Sequence, residues 1–188
     1  RQENPSGEMT PAWVDEHDGR YAQLCAAIGE RGAAVMRYPV GAGGLPAGAG
    51  IDVVREALAA ALARSRASDV RRGLTHVGPH RDDLALALGG RDLRTYGSAG
   101  QHRTAAITLR LLEADTRRAA AGTEPVILLD DPFAELDAGR ALRILELLGA
   151  ERTGQIVLAV PRDDDIPARF TRLARCRIAA GAIAPDAP

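Results

Sequence analysis

The chain has 188 residues, enough for one well-packed core with an appendage, and its hydrophobic content of 46% excludes wholesale disorder. All 24 basic residues are arginine and none is lysine, and a net charge of −1 gives no overall electrostatic signature of nucleic-acid binding. No apolar run approaches the roughly 18 residues of a membrane span, no signal peptide opens the chain, and the distant cysteines match no metal-site spacing. We therefore expect a cytoplasmic protein with reduced thiols and no membrane segment.

The N-terminal third predicts two helices separated by a strand and a loop. Thr10 and the proline after it predict the N-cap and first turn of a helix over about 11–32. "VMRYPV", at 35–40, predicts a short strand, and "GAGGLPAGAG", at 41–50, predicts a flexible linker. Helical spacing of apolar residues over 51–72, followed by a glycine cap, predicts a second helix.

The rest of the chain predicts alternating strands and helices, assigned from alternation, helical spacing and turn residues. The assignments are a hairpin over 84–96 turning at Gly89-Gly90, a helix over 100–121, a strand over 126–129, a helix over 138–149, a strand over 155–160 and a hairpin over 175–185. The two strands around 138–149 predict a β-α-β unit. The continuous apolar run at 126–129 is typical of a strand in mid-sheet, covered on both faces.

That apolar run ends in two adjacent aspartates, Asp130 and Asp131. Acidic residues at the carboxyl end of a buried parallel strand lie at the sheet edge where α/β proteins bind ligands. Asp130 is therefore a candidate ligand for Mg²⁺ on a nucleotide, and Asp131 is a candidate base for the attacking water. The alternative, an aspartate that only caps the next turn, stays open because that chemistry is common after strands.

A Ser-x-Gly-Gln segment precedes the long helix predicted over 100–121. Backbone N–H groups and the Ser98 hydroxyl would lie at the positive end of that helix, which is the geometry of an anion site. Gly100 would let a phosphate approach the backbone, and Gln101 would offer amide hydrogen bonds. By itself the segment fits an ordinary helix cap better. A third motif, "GPHRDDL" at 78–84, fits a polar loop whose basic side chains are solvated or paired with the neighbouring aspartates.

Together and in this order, the three motifs resemble the C-terminal half of the RecF family, recombinational repair ATPases related to the SMC and ABC-type ATPases. The matching runs are "GPHRDDL" at 78–84, "GSAGQHRT" at 97–104 and "LLDDPFAELD" at 128–137. The resemblance extends from about residue 73 to 140 and continues less closely to the C-terminus. Ordered, gapless runs of this kind are much more specific than a single glycine motif.

The resemblance implies a role for each matching residue. One segment corresponds to the ABC signature, which contacts the γ-phosphate of ATP held by the opposite protomer. Its residues are Ser98, Ala99, Gly100 and Gln101. Asp130 corresponds to the Walker B metal acid, and Asp131 corresponds to the catalytic carboxylate that follows it. Residues 134–137 correspond to the D-loop, which crosses the dimer interface, and Asp137 is assigned to nucleotide binding with the signature residues.

The fold implied by the resemblance is α/β. Residues 73–188 would be the C-terminal lobe of an ABC/SMC-type P-loop NTPase head, with a mixed sheet flanked by helices. Residues 1–72 would be part of a helical arm and a glycine-rich linker.

The implied cofactors are ATP and Mg²⁺, with ATP held between the heads of an ATP-dependent homodimer that clamps double-stranded or gapped DNA. The family acts in DNA replication, recombination, repair and the SOS response. The implied partners are therefore a RecR-like mediator and the RecA pathway.

Two features depart from the family's pattern. The chain has no GxxxxGK[ST] P-loop and, without lysine, cannot contain one. After the strand at 155–160, where the family often has a histidine or threonine that senses the γ-phosphate, this chain reads Pro161-Arg162. Arg162 is a candidate positive contact there. We expect ATP hydrolysis only when the chain is combined with a P-loop-bearing half, and the simplest account is a chain that lacks that half.

Two other interpretations stay open. A degenerate head that keeps the fold, has lost catalysis and serves as a binding module would explain the same departures. Another SMC-like ATPase, of the overcoming-lysogenisation or RecN type, is disfavoured because "GPHRDDL" is a RecF-type feature. In the DNA upstream of Arg1, an in-frame GxNGxGKT-like segment would favour the first interpretation, whereas a stop codon and a native start would favour the degenerate head.

Overall fold

The computed structural model describes residues 10–39, 49–150, 154–166 and 173–185. In chain order its elements are α1 (Pro11–Ile28), β1 (Ala34–Arg37), α2 (Ile51–Arg72), β2 (Ala85–Leu88), β3 (Arg91–Asp92), α3 (Leu93–Tyr96), α4 (Ala99–Ala121), β4 (Ile127–Asp130), α5 (Ala138–Ala150), β5 (Ile156–Ala159), β6 (Cys176–Ala179) and β7 (Ala182–Pro185). Short 3-10 helices lie at Pro79–Arg81 and Asp163–Asp165. Apart from its last two residues, the predicted linker at 41–50 lies outside the described residues.

Helix α1 starts at the predicted cap and ends earlier than predicted. The Trp13 N–H donates to the Thr10 hydroxyl over 3.2 Å, and proline occupies the first turn, so the predicted start is confirmed. The helix ends at Ile28 because Gly29 adopts a left-handed conformation with φ of 115°. The chain then turns into β1, at the position predicted for a short strand.

Strands β1, β2 and β3 form an antiparallel sheet in that order. The predicted hairpin turn is confirmed, and Gly89 and Gly90 have φ of 59° and 76°, which glycine adopts at little cost. The second strand has only 2 residues, because the Asp92 carboxylate accepts a hydrogen bond from the Thr95 N–H over 2.8 Å and starts α3. The chain therefore leaves the sheet at α3, which comes before α4.

Strands β4 and β5 pair in parallel, and α5 connects them as predicted. On the inner face Ile127 is buried, but on the outer face Leu128 is 72% exposed and Val126 is 58% exposed. The prediction that both faces are covered is therefore wrong for the described residues, because no element among them packs on the outer face. An apolar face beside the two aspartates is left open.

A single core joins the first helix to the later elements. Helix α1 packs against β1, α4 and α5, and Tyr21 of α1, Leu112 of α4 and Ile144 of α5 are all buried. Helix α2 has only Ala61 buried. The division of the chain at residue 72 stays a prediction, but α1 and β1, which fall on the arm side of it, share a core and a sheet with the elements that follow.

Exposed apolar side chains also lie on the C-terminal hairpin. The predicted hairpin is confirmed as β6 and β7, which pair antiparallel with Ile178 opposite Ile183. Both isoleucines are 71% exposed.

None of the helices in the described ranges is long and apolar enough to cross a lipid bilayer.

Candidate functional site

Two aspartates lie at the carboxyl end of strand β4. Asp130 is the last residue of the strand and is exposed, and Asp131 follows it, half-buried. The Asp131 N–H donates to the Ala159 carbonyl over 2.8 Å, which extends the pairing with β5 by one hydrogen bond. Both acids therefore lie at the edge of a parallel sheet where α/β proteins bind ligands.

The turn after the aspartates has a strained backbone. Asp131 and Glu135 have φ of 44° and 65°, in the left-handed region that residues other than glycine rarely adopt. Between them Pro132 and Phe133 are buried, so packing holds the turn in place. Strained residues fixed by their surroundings cluster at functional sites, which favours a functional turn over a simple connection.

Asp130 supplies the kind of ligand that Mg²⁺ prefers. In nucleotide sites Mg²⁺ binds one or two carboxylates together with waters and phosphates, rather than a cage made only of protein. An exposed carboxylate beside a second one fits that ligand set. Among the described residues there is no group of three or more His, Cys, Asp or Glu side chains that could hold a metal. A carboxylate pair of this kind fits a metal that takes its other ligands from water and phosphate.

The Ser98–Gln101 segment forms a capping box at the start of α4. The Gln101 N–H donates to Ser98 Oγ over 3.3 Å, and the Ser98 N–H donates to Gln101 Oε1 over 2.9 Å. The box does not use the hydroxyl hydrogen of Ser98 or the side-chain NH₂ of Gln101, so both remain donors. Because Ser98 and Ala99 are exposed, the positive end of the helix faces solvent. The segment is a helix cap that keeps donors free for an anion.

Gly100 is buried against the turn that follows the aspartates. A Cβ atom at this position would lie 2.8 Å from the Glu135 carbonyl oxygen and 3.1 Å from Arg140 Nη1. The structure thus explains the glycine in a way that the sequence did not reveal. The backbone at Glu135 comes too close to leave room for a side chain. The approach of a phosphate to Gly100 stays a prediction.

We expect Gly100→Ala to destabilise the chain by roughly 1–3 kcal/mol, because the backbone at Glu135 has to move away from α4. The free energy of unfolding, measured with urea, tests this. Gly19→Ala is the matched control, since Gly19 is also helical but an added Cβ there would meet nothing within 4 Å beyond its chain neighbours and the backbone of its own helix. The control should be neutral or stabilising. Equal stability of the two variants would contradict the proposed contact.

Asp137, the last residue of the predicted D-loop, caps helix α5. Its Oδ1 accepts a hydrogen bond from the Arg140 N–H over 2.9 Å, and this bond is the main reason that the pKa of the carboxyl is lowered. The Arg140 Nε lies 3.6 Å from the other carboxylate oxygen, and the Asp137 side chain is 66% exposed. An ionised, exposed cap is compatible with a further contact across an interface, and its role in nucleotide binding stays a prediction.

Arg162 comes just after β5, the strand that pairs with β4. Its pKa is raised, chiefly by a hydrogen bond to Asp165 of 3.1 Å, with smaller contributions from Asp164 and Asp131. The Arg162 side chain is 78% exposed. The position predicted for a γ-phosphate sensor therefore holds an exposed cation within electrostatic reach of Asp131.

The basic side chains of the "GPHRDDL" motif are exposed and contact the backbone of Thr75. His80 Nε2 and Arg81 Nε lie 3.3 Å and 3.2 Å from the Thr75 carbonyl oxygen. Asp83 pairs instead with Arg94, at 2.6 Å. Both basic side chains are exposed, as in the solvated alternative, and Asp83 pairs outside the motif.

The structure brings the predicted signature segment and the predicted D-loop into contact within one chain, through Gly100 and Glu135. In the described ranges, no hydrogen bond or ion pair joins Asp130 or Asp131 to Ser98–Gln101. Within one protomer, the described contact of the signature segment is with the D-loop.

Sequence reasoning missed Glu30, the one charged residue that is buried among the described residues. Its partner is Arg140, whose Nη1 lies 3.2 Å from Glu30 Oε1. A glutamate just past a helix end is usually solvated, and nothing in the local sequence marks this one as buried.

The comparisons with known proteins give one family. No protein-family model matches the chain. The chain is 41% identical to "DNA replication and repair protein RecF" of Roseiflexus castenholzii over 143 residues, which cover 73% of this chain and 36% of the relative. It therefore spans about a third of the length of that curated relative.

Two solved structures are similar. The structure of "the recombination mediator protein RecF-ATPrS in RecFOR pathway" matches with a TM-score of 0.68 and 28% identity, covering 93% of this chain and 45% of the other. The RecF-ATP structure from the same pathway matches with a TM-score of 0.64 and 30% identity, covering 82% and 41%. The predicted resemblance and the predicted α/β fold of ABC/SMC type are confirmed.

Proposed function

We propose that this chain, which belongs to the RecF family, supplies the signature and Walker B part of an ATPase head that acts in DNA repair and recombination. One observation carries the proposal. Two adjacent aspartates end a parallel strand, and the turn after them packs on the glycine of a helix N-terminus that keeps its donors free. A solved relative is described as RecF-ATP, which supports ATP as the nucleotide.

The two aspartates would have different roles in ATP hydrolysis. Asp130 would hold Mg²⁺, which when bound neutralises charge on the β- and γ-phosphates. Asp131 would orient the attacking water and accept its proton, a contribution of roughly 10²–10⁴-fold for a positioned base. The hydrogen bond from the Asp131 N–H to Ala159 and the buried Pro132 and Phe133 support this role, because they fix the backbone that carries the carboxylate.

The signature segment would bind the nucleotide that is held by a second protomer. In this proposal the free donors of Ser98 and Gln101, with the helix N-terminus at Ala99 and Gly100, bind the γ-phosphate held by the opposite head. Asp137 would lie at the same dimer interface. Such a site, shared between two protomers, would make the homodimer dependent on ATP.

The P-loop lysine would come from a second half of the head, because this chain contains no lysine. The open outer face of β4, with Leu128 and Val126, is the surface on which we propose that this half packs. We call the chain together with that P-loop-bearing half the assembled head.

The proposal extends to partners. An assembled dimer would clamp double-stranded or gapped DNA and act with a RecR-like mediator in the RecA pathway, in the cytoplasm. These partners come from the family alone, since the net charge of −1 gives no independent support for DNA contact.

The isolated chain is expected neither to bind ATP tightly nor to hydrolyse it, because the P-loop that cradles the phosphates is supplied by the other half. The test is titration calorimetry and phosphate release with the 188-residue chain and with the assembled head. Binding, hydrolysis and ATP-dependent dimerisation should appear only in the assembled head. Turnover by the isolated chain would contradict the proposal.

A second candidate, a binding module that has lost catalysis, is favoured by the absent lysine and by Arg162 at the sensor position. Such a head would dock on a complete partner and lend its signature segment to it. The upstream DNA separates the two candidates: an in-frame GxNGxGKT-like segment supports the ATPase, and a stop codon with a native start supports the module.

A further inference from the structure

We propose that Glu30 and Arg140 form a positioning pair that holds the signature segment (residues 98–101) and the D-loop (134–137) in a fixed relation. The inference rests on the proposed function for the roles of these two segments. The pair itself is defined by geometry that does not depend on ATP.

The pair links the end of α1 to the start of α5. Arg140 Nη2 donates to Glu30 Oε2 over 3.3 Å, and Nη1 lies 3.2 Å from Oε1. The Glu30 side chain is only 4% exposed and that of Arg140 is 20% exposed. Glu30 Oε1 accepts no hydrogen bond in the described structure, so this buried carboxylate depends on the charge of Arg140.

Arg140 also contacts both segments of the candidate interface. On the D-loop side its backbone N–H donates to Asp137 Oδ1 over 2.9 Å, and its Nε lies 3.6 Å from Oδ2. On the signature side its Nη1 would be 3.1 Å from a Cβ atom at Gly100. One guanidinium therefore lies beside the signature glycine and pairs with the D-loop aspartate, and a buried anion limits where that guanidinium can lie.

A second arginine of α5, Arg143, also contacts the end of α1. Arg143 Nε donates to the Ile28 carbonyl at the end of α1 over 2.7 Å. Helix α5 is thus anchored to α1 by two arginines. A cleft of about 560 Å³ opens beside them, lined among others by Arg31, Tyr96, Gln101 and Asp137. Glu30 and Arg140 line the same cleft.

The consequence is a coupling between the two segments. A shift of the D-loop moves Arg140, and Arg140 cannot move without leaving Glu30 buried and unpaired, which is strongly unfavourable. The signature segment packs on the same D-loop backbone through Gly100. Both segments should therefore keep their mutual position or lose it together. Glu30 and Arg140 act through other residues and do not touch the nucleotide.

The first test is amide hydrogen exchange on this chain. In Arg140→Met we expect the exchange of residues 98–101 and 134–137 to rise together, by roughly tenfold or more, the worth of a hydrogen bond to a charged group. Arg118→Met is the matched control, since Arg118 also forms two ion pairs and is 25% exposed, but it pairs with Asp115 and Glu124, remote in sequence from both segments. Unchanged exchange in Arg140→Met, or an equal rise in both variants, would overturn the proposal.

Glu30→Gln provides a milder variant if Arg140→Met folds poorly. It keeps the size of the side chain and removes the charge, so the same two segments should loosen together. Arg140→Lys keeps the positive charge without the planar fork, and it should restore the exchange only in part. Full restoration by lysine would show that charge alone suffices and would overturn the positioning role of the guanidinium.

The second test is ATP-dependent dimerisation of the assembled head. Arg140→Met should weaken it by roughly tenfold or more, with the affinity of each head for ATP unchanged, and Arg118→Met should not. If Ser98→Arg blocks dimerisation but Arg140→Met leaves it intact, the inference is wrong while the proposed function stands. If neither variant affects self-association, the proposed function has failed, and the exchange experiment still decides whether the pair positions the segments.

Discussion

Replacing Asp131 with asparagine in the assembled head is expected to slow ATP hydrolysis by about a hundredfold or more while ATP binding and dimerisation persist. The amide cannot accept the proton of the attacking water, and a positioned general base contributes roughly 10²–10⁴-fold. Asparagine tolerates the left-handed conformation that Asp131 adopts, with φ of 44°, so the variant should fold. The measurement is steady-state phosphate release at saturating ATP, alongside the affinity for ATP.

The control for this variant is Asp164→Asn, which removes the same charge from a nearby exposed aspartate beyond the end of β5. It should leave kcat within about twofold, since long-range electrostatic effects at exposed sites are small. Normal hydrolysis by Asp131→Asn would show that the assigned base is wrong. An equal loss in both variants would assign the effect to the local charge rather than to the base.

Ser98→Arg is expected to abolish ATP-dependent dimerisation of the assembled head and to leave ATP binding by each head intact. The larger side chain would occupy the space in front of the helix N-terminus, and its positive charge is unfavourable beside the positive end of α4. Analytical ultracentrifugation with and without ATP measures the first effect, and titration calorimetry measures the second.

Loss of the helix cap has to be separated from loss of the interface. Ser98→Arg also removes the hydroxyl that accepts from the Gln101 N–H, at a cost of about 1 kcal/mol. Thr10→Arg is the matched control, because Thr10 caps α1 through the Trp13 N–H in the same way. Dimerisation that survives Ser98→Arg, or that is lost equally in Thr10→Arg, contradicts the signature assignment.

The parts of the fold that depend on local chemistry were predictable from sequence. Thr10 with its proline and Ser98 marked the starts of α1 and α4, and Gly89-Gly90 marked the turn between β2 and β3. The adjacent aspartates at the end of an apolar run also marked their place at the tip of β4. Each of these signals depends on residues that are close together in the chain, so it can be recognised in a single sequence.

The parts that depend on distant contacts were not predictable. Glu30 and Arg140 are 110 residues apart, and neither position carries a local sign of the pair. The apolar run of β4 looks the same whether one face or both are covered, so the exposure of Leu128 could be seen only in the structure. The length of the second strand of the β2–β3 hairpin was overestimated because the helix cap at Asp92 competes with strand pairing. The strength of that cap depends on its geometry.

The most direct test of the central claim is the structure of the assembled head with Mg²⁺ and a slowly hydrolysed ATP analogue. The account predicts a dimer in which the Asp130 carboxylate lies about 2 Å from Mg²⁺, or one water away from it. The Ser98 hydroxyl of the other protomer should lie within about 3 Å of a γ-phosphate oxygen. A structure in which Asp130 and Asp131 face bulk solvent, remote from the Ser98 segment of any neighbouring copy, would contradict it.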